Sequence, residues 1–182
     1  MSSSRETIGP MLVAFLPAMR RFALSLTRSP DQADDLVQAA CERALASADG
    51  FAPGTRFDAW MFRIIRNLWI DRIRRTRTQA SDPIEDGEEF VGSDGAQVVH
   101  SRLDLSDTAA AIMQLPDDQR EILTLVCIES LSYAEAAAVA GVPVGTVMSR
   151  LARARTRLAS LLQEKGINLS ESRSSARRGQ RQ

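Results

Sequence analysis

The stretch Leu131 to Leu158, LSYAEAAAVAGVPVGTVMSRLARARTRL, constrains the fold more than any other part of the chain. Ser132 and Glu135 stand at the S-x-x-E spacing of a capping box, where each side chain satisfies the other residue's orphaned backbone N–H. A short alanine-rich helix therefore starts here. Gly141 is placed to end it, since glycine takes the left-handed conformation at a helix end freely, and Val142 and Pro143 carry the turn. Beyond the turn, Val144, Val147, Leu151, Ala154, Leu158 and Leu161 or Leu162 recur at three- and four-residue steps, the period of a helix with one buried stripe. Ser149, Arg150, Arg153, Arg155 and Arg157 fall off that stripe. The pattern is a helix-turn-helix whose second helix, held by its apolar side, turns Arg and Ser outward as a DNA major groove requires. A solvated charged helix in an ordinary bundle is the competing reading. It explains the second helix but not the capped pair.

Whole-chain electrostatics conceal this. The 182 residues carry 23 basic and 23 acidic side chains, a formal net charge of zero. Residues 56–79 hold seven arginines (56, 63, 66, 72, 74, 75 and 77) against Asp58 and Asp71, net +5. Residues 82–94 hold Asp82, Glu85, Asp86, Glu88, Glu89 and Asp94 without a base, net −6. Residues 147–165 hold four arginines and Lys165 against Glu164, net +4. Two basic helices flanking an acidic connector can bind phosphate locally in a neutral chain.

A length of 182 residues suits one to two domains, and a hydrophobic fraction of 44% is enough to bury real cores. Cys41 and Cys127 lie far apart in apolar helical surroundings and are read as buried free thiols of a reducing compartment. His100 is the one histidine, no His/Cys cluster has metal spacing and no glycine-rich phosphate loop occurs, so neither metal nor cofactor is expected. An enzyme would depend on scattered carboxylates with no evident pocket partner. The opening MSSSRETIGP lacks the basic, apolar and small-residue order of a secretory signal. No apolar run approaches the ~20 residues of a membrane span. A cytoplasmic protein without membrane insertion is the expectation.

No alternating apolar stretch of useful length suggests a strand, so the fold class expected is all-α, two small helical domains. A first helix is expected from about Met11 to Arg28. A second opens on Ser29, Pro30 and Gln32, a cap, a first-position proline and a reciprocal glutamine, with Asp31, Asp34 and Asp35 where the helix dipole favours carboxylates. Residues Phe51 to Thr55, FAPGT, form a loop. A third helix from about Phe57 to Arg77 gathers Phe57, Trp60, Met61, Ile64, Ile65 and Leu68 on one arc, and Arg63, Arg66, Asn67, Ile70 and Arg74 on another. After the acidic connector a second set of helices begins at Ser106, broken at Leu115-Pro116. Residues 166–182 form a polar basic tail.

The blocks DQADDLVQAACERAL, FDAWMFRIIRNLWIDRIRR and LPDDQREILTLVCIESLSYAEAAAVAGVPVGTVMSRLARARTRL, in that order and spacing, resemble the extracytoplasmic-function (ECF) sigma factors of bacteria, the minimal sigma-70 class. A generic helix-turn-helix regulator would match only the last block. The resemblance implies a first domain at 10–79, a linker at 80–106, a second domain at 107–165 and a basic tail at 166–182. It further implies a non-enzymatic subunit of RNA polymerase whose first domain binds and helps to melt the −10 promoter element while docking on the β′ clamp helices. The second domain would read the −35 element and touch the β flap. An anti-sigma factor is implied as a further partner, and the likeness leans toward general-stress members.

Position by position, the resemblance places Asp34, Asp35, Leu36 and Gln38 on the polymerase-docking surface. Phe51, Gly54, Thr55, Arg56 and Phe57 fall in the loop that captures a flipped −10 base, and Arg63, Arg66 and Asn67 on the strand-separating face. Ser149, Ala152 and Arg153 match base-facing positions of the −35 reader; Thr146, Arg150 and Arg155 match phosphate contacts. Met148 departs from the family, standing where many members have Lys or Arg, which puts one −35 contact in doubt. The residues themselves agree, because melted DNA needs a pocket for unstacked bases and cationic walls for its backbone. Trp60 and Trp69 also read as core aromatics, and Asp31 as a mere cap. The runner-up function is a stand-alone DNA-binding regulator with a sensing or dimerising first domain. An Arg/Asn-faced third helix has no purpose there.

Overall fold

A computed structural model describes residues 3–51, 56–79 and 103–164. Among these there is no strand, and the chain runs through α1 (Ser3–Thr27), α2 (Pro30–Ala46), a 3-10 turn (Ala48–Gly50), α3 (Phe57–Gln79), α4 (Leu103–Met113), α5 (Asp117–Leu123), a wider π turn (Thr124–Ile128), α6 (Tyr133–Ala140) and α7 (Val144–Glu164). The all-α reading stands. Residues 80–102 and the tail from 165, with His100 and the acidic run 82–94, lie outside the described residues.

Helix α1 begins well before the expected Met11 and passes through Pro10 and Pro17. Each proline removes one backbone donor, but both lie on the exposed side of the helix, where water can meet the freed carbonyls. Helix α2 starts as read: Ser29 Oγ accepts from Gln32 N, and Pro30 follows at the first helical position. The reciprocal half differs, since Ser29 N donates to Thr27 Oγ1 at 3.3 Å. Helix α4 starts at Leu103, so Ser106 lies one turn inside it rather than at its start.

The expected apolar arc of α3 is turned inward, with Met61 and Ile65 fully buried and Trp60, Ile64, Leu68 and Trp69 packed against the core. Phe62, off that arc, is buried as well. The cause is in α1, whose Phe15 and Phe22 stack on it at 5.2 and 4.9 Å between ring centroids. Offset or edge-on aromatic contacts of this kind add to what burial alone contributes.

The capping box of α6 forms in both directions, and Gly141 ends the helix in the left-handed conformation at φ 63°. Along α7, Val147, Leu151, Ala154 and Leu162 are buried, and Leu158 and Leu161 are half-buried. Val144, expected on that stripe, is 39% exposed, because the first residue after Pro143 precedes the turn that meets the core. Cys127 is exposed rather than buried, while Cys41 is half-buried; both are free thiols. The chain thus folds as two three- and four-helix units, but their apolar cores run together into one cluster.

Candidate DNA-reading surfaces and the seam between them

On α7 the outward side is polar at its edges and apolar at its centre. Ser149, Ala152, Arg153 and Arg155 are exposed, and Met148 is 51% exposed between them. Arg153 Nε rests on the Ser149 carbonyl at 3.3 Å, and the Ser149 hydroxyl on the Thr146 carbonyl at 3.0 Å. These are weak local bonds that a nucleic-acid acceptor can replace. Arg150 is different: its guanidinium pairs with Asp118 at 3.1 Å and is largely covered. Arg155 Nη2 lies 3.6 Å from Cys127 Sγ. Thr146 is half-buried at the start of the helix.

On the first unit, Arg63, Asn67 and Arg74 are exposed along α3, and Ile70 is half-buried beside them. Phe51 and Phe57 are half-buried and stack edge-to-face at 5.7 Å, with Trp60 5.1 Å from Phe51. They form an aromatic platform at the base of the loop. Gly54 and Thr55 of that loop lie outside the described residues. Asp34, Asp35 and Gln38 are exposed on α2, with Asp34 held by Arg20 at 2.7 Å and Gln38 by Glu42 at 3.2 Å. Leu36 is corrected: at 3% exposure it fills the core between α1 and α2 and cannot touch a partner. Only the resemblance, which assigns the whole ADDLVQ block to the docking surface, put it there. Sequence reasoning also missed the exposed apolar residues Val13 and Leu16 of α1 and Leu45 of α2, which break the polar surface of the same hairpin.

The helices of one unit belong to a recognised pattern, and so do those of the other. Residues 11–79 match the family described as Sigma-70 region 2, and residues 106–158 match Sigma-70, region 4. An ECF RNA polymerase sigma factor of Rhodopseudomonas palustris, EcfG, is 42% identical over 151 residues, 83% of this chain and 82% of its own. The chain belongs to the extracytoplasmic-function sigma factors of the sigma-70 family. Among solved structures, the sigma factor RpoE of Bartonella quintana, crystallised with the anti-sigma factor NepR, has a TM-score of 0.72 at 37% identity, covering 87% of this chain and 98% of that one. CnrH, crystallised with the cytosolic domain of CnrY, follows at TM-score 0.60 and 30% identity, covering 86% and 87%.

As a sigma factor the chain directs promoter-specific initiation by RNA polymerase and is not itself an enzyme; RNA synthesis is catalysed by the polymerase. Its partners are the core polymerase and promoter DNA, and no described helix is long and apolar enough to cross a membrane.

The two units of this sigma factor meet along a seam that the sequence reading did not anticipate. Arg66 Nε donates to Glu121 Oε1 at 2.6 Å, with only 19% and 10% of the two side chains exposed. Arg56 Nη1 donates to Glu135 Oε2 at 3.0 Å, and also pairs with Asp58 beside it. Arg21 grips both carboxylate oxygens of Glu129 at 2.9 and 3.0 Å. Arg28 Nη2 reaches Asp117 Oδ1 at 2.7 Å. Arg120 is fully buried and donates to the carbonyls of Ser25 and Leu115 and to Asp117. Burial works against the charge of Arg120, and Asp117 partly offsets it. Glu121 is likewise pushed up by burial, against the pull of Arg66 and Arg150. Desolvating such groups is costly, so the seam is a specific contact rather than a strong one.

Proposed function

We propose that the unit at 10–79 captures and melts the −10 element while docking on the polymerase through Asp34, Asp35 and Gln38, and that the unit at 107–165 reads the −35 element through α7. The observation that carries this is the pairing of two different DNA surfaces. One is a capped helix-turn-helix exposing Met148, Ser149, Ala152 and Arg153 beside a buried stripe. The other is an α3 that exposes Arg63, Asn67 and Arg74 next to the stacked Phe51, Phe57 and Trp60. The first suits edges of paired bases in a groove, the second suits bases taken out of the stack. The chain works in the cytoplasm, where chromosomal promoters and the polymerase are. An inhibitory protein partner is part of the proposal, since the similar sigma factor RpoE was crystallised with an anti-sigma factor. A role in a stress response is part of the proposal too, on the resemblance of the sequence to general-stress members of the family.

The melting role is tested by Asn67→Ala. Open-complex formation on duplex promoters should fall severalfold, and a pre-melted bubble should restore part of it because the cost of unpairing is already met. Unchanged permanganate reactivity of the −10 thymines in the variant would refute the assignment.

A further inference from the structure

We infer that Met148, flanked by Val144 and Ala152, reads the 5-methyl group of a thymine in the −35 element; this rests on the assignment of α7 as the −35 reader above. The three residues stand four apart, so they form one row along the first half of α7, the end of a recognition helix that meets base edges. The row is uncovered, with Met148 and Val144 among the exposed large apolar residues and Ala152 exposed beyond them. A single exposed apolar side chain is ordinary, but three in register on a surface that otherwise carries Arg and Ser are not. Met148 is the centre of the row. Its thioether has no N–H to donate to a base edge, so it does not discriminate bases as an arginine does.

The cations nearby are drawn off this row. Arg155, seven positions after Met148 and so on the same side of the helix, has its Nη2 3.6 Å from Cys127 Sγ, and Arg150 is paired with Asp118 at 3.1 Å. Arg153 lies in the neighbouring row with Ser149, its Nε on the Ser149 carbonyl. Two rows therefore run side by side, one of hydrogen-bonding groups and one of methyl and thioether groups. Base pairs offer the same two chemistries in the major groove. Their nitrogens and oxygens give and take hydrogen bonds, and the thymine 5-methyl is the apolar group among them. Packing that methyl against Met148 removes apolar surface of both partners from water. An unbranched, polarizable methionine adapts to where the methyl lies, and Ala152 adds a second methyl contact one turn on while keeping the helix close to the bases.

The test uses the full chain and a duplex recovered with it from a random-sequence library by repeated rounds of binding. Each thymine of that duplex is replaced in turn by deoxyuridine, which pairs as thymine does and lacks only the 5-methyl group. At least one replacement should weaken binding about fourfold, the loss of one buried methyl. Met148→Gln, of similar length but polar, should bind the thymine and deoxyuridine duplexes alike, and Met148→Leu should keep the preference for thymine. Selectivity at the guanine that Arg153 reads should be unchanged in both variants. Met148 is exposed, so neither change disturbs the core, and helicity by circular dichroism shows that each variant folds. A duplex on which no deoxyuridine replacement weakens binding overturns the inference, as does a thymine preference that survives in Met148→Gln. Lost binding of core polymerase by Met148→Gln, with DNA selectivity intact, gives the row to a protein partner and overturns it too. If no sequence is enriched, or Arg153→Ala binds the enriched one as selectively as its parent, the failure lies in the assignment of α7 and the inference falls with it.

Discussion

Two arginines three positions apart on α7 divide the work of a DNA reader. Arg153 is exposed and held only by a long bond to a carbonyl one turn back, so its fork is free to meet a guanine edge. Arg150 matches a phosphate contact by the resemblance; it is paired with Asp118 and largely covered, so a phosphate has to take that carboxylate's place. Arg153→Ala should therefore relax preference at one position of the −35 element, losing about 1–3 kcal/mol of discrimination. Arg150→Ala should weaken binding evenly across sequences and lower the salt slope by about one. Titrating both variants against a set of single-base operator changes at two salt concentrations separates the roles; equal loss of selectivity from both would refute them. The outward position of Arg153 was legible from periodicity alone, while Arg150, equally off the apolar stripe, is largely covered. The Asp118 partner was not legible, since nothing in the order of residues says which acid of a preceding helix lies beside an arginine.

Elements differ in how much of their origin is local. Helix α6 is written in four consecutive residues and one glycine: Ser132 N donates to the Glu135 carboxylate at 2.8 Å, Glu135 N returns a bond to Ser132 Oγ at 3.3 Å, and Gly141 stops the helix. Ser132→Ala should cost about 1 kcal/mol. Gly141→Ala should cost about 1–2 kcal/mol, because the left-handed conformation is strained for alanine even though the nearest atom would sit at ordinary contact distance. Thermal melts of the two variants measure this, and a Gly141→Ala chain as stable as its parent would contradict the strain. Helix α3 is less local. Its arc of Met61 and Ile65 follows helical spacing, but Phe62 is buried because Phe15 and Phe22 of α1 reach it, a pairing over some forty residues that no window of sequence displays. The same holds for Leu36, which the family resemblance assigns to a docking surface and which packing buries.

At the scale of the molecule, the closed arrangement and promoter binding make opposite demands. A compact chain of this length has a radius of gyration near 16 Å, while −35 and −10 elements some two helical turns apart lie roughly 70 Å from each other. The two units must separate to bind both. With α4 beginning at Leu103, the connector 80–102 reaches at most about 75 Å when fully extended at ~3.3 Å per residue, so the separation is allowed with little slack. Deleting residues 82–94 would leave about 35 Å of reach. Such a chain should still bind an isolated −35 duplex yet lose the gain in affinity that comes from engaging both elements, a gain set by effective concentration. Gel-shift titration on probes with one or both elements reads this, and undiminished two-element affinity would contradict it. The seam itself was invisible in the sequence because complementary charge between distant helices leaves no periodic mark. That the chain is a sigma factor makes one experiment decisive for the roles assigned to its two DNA surfaces. Run-off transcription with purified core polymerase on a promoter-bearing template should give start-site-specific product only when this chain is added, and Asn67→Ala and Arg153→Ala should each reduce it. Specific product made equally well by both variants would contradict the account.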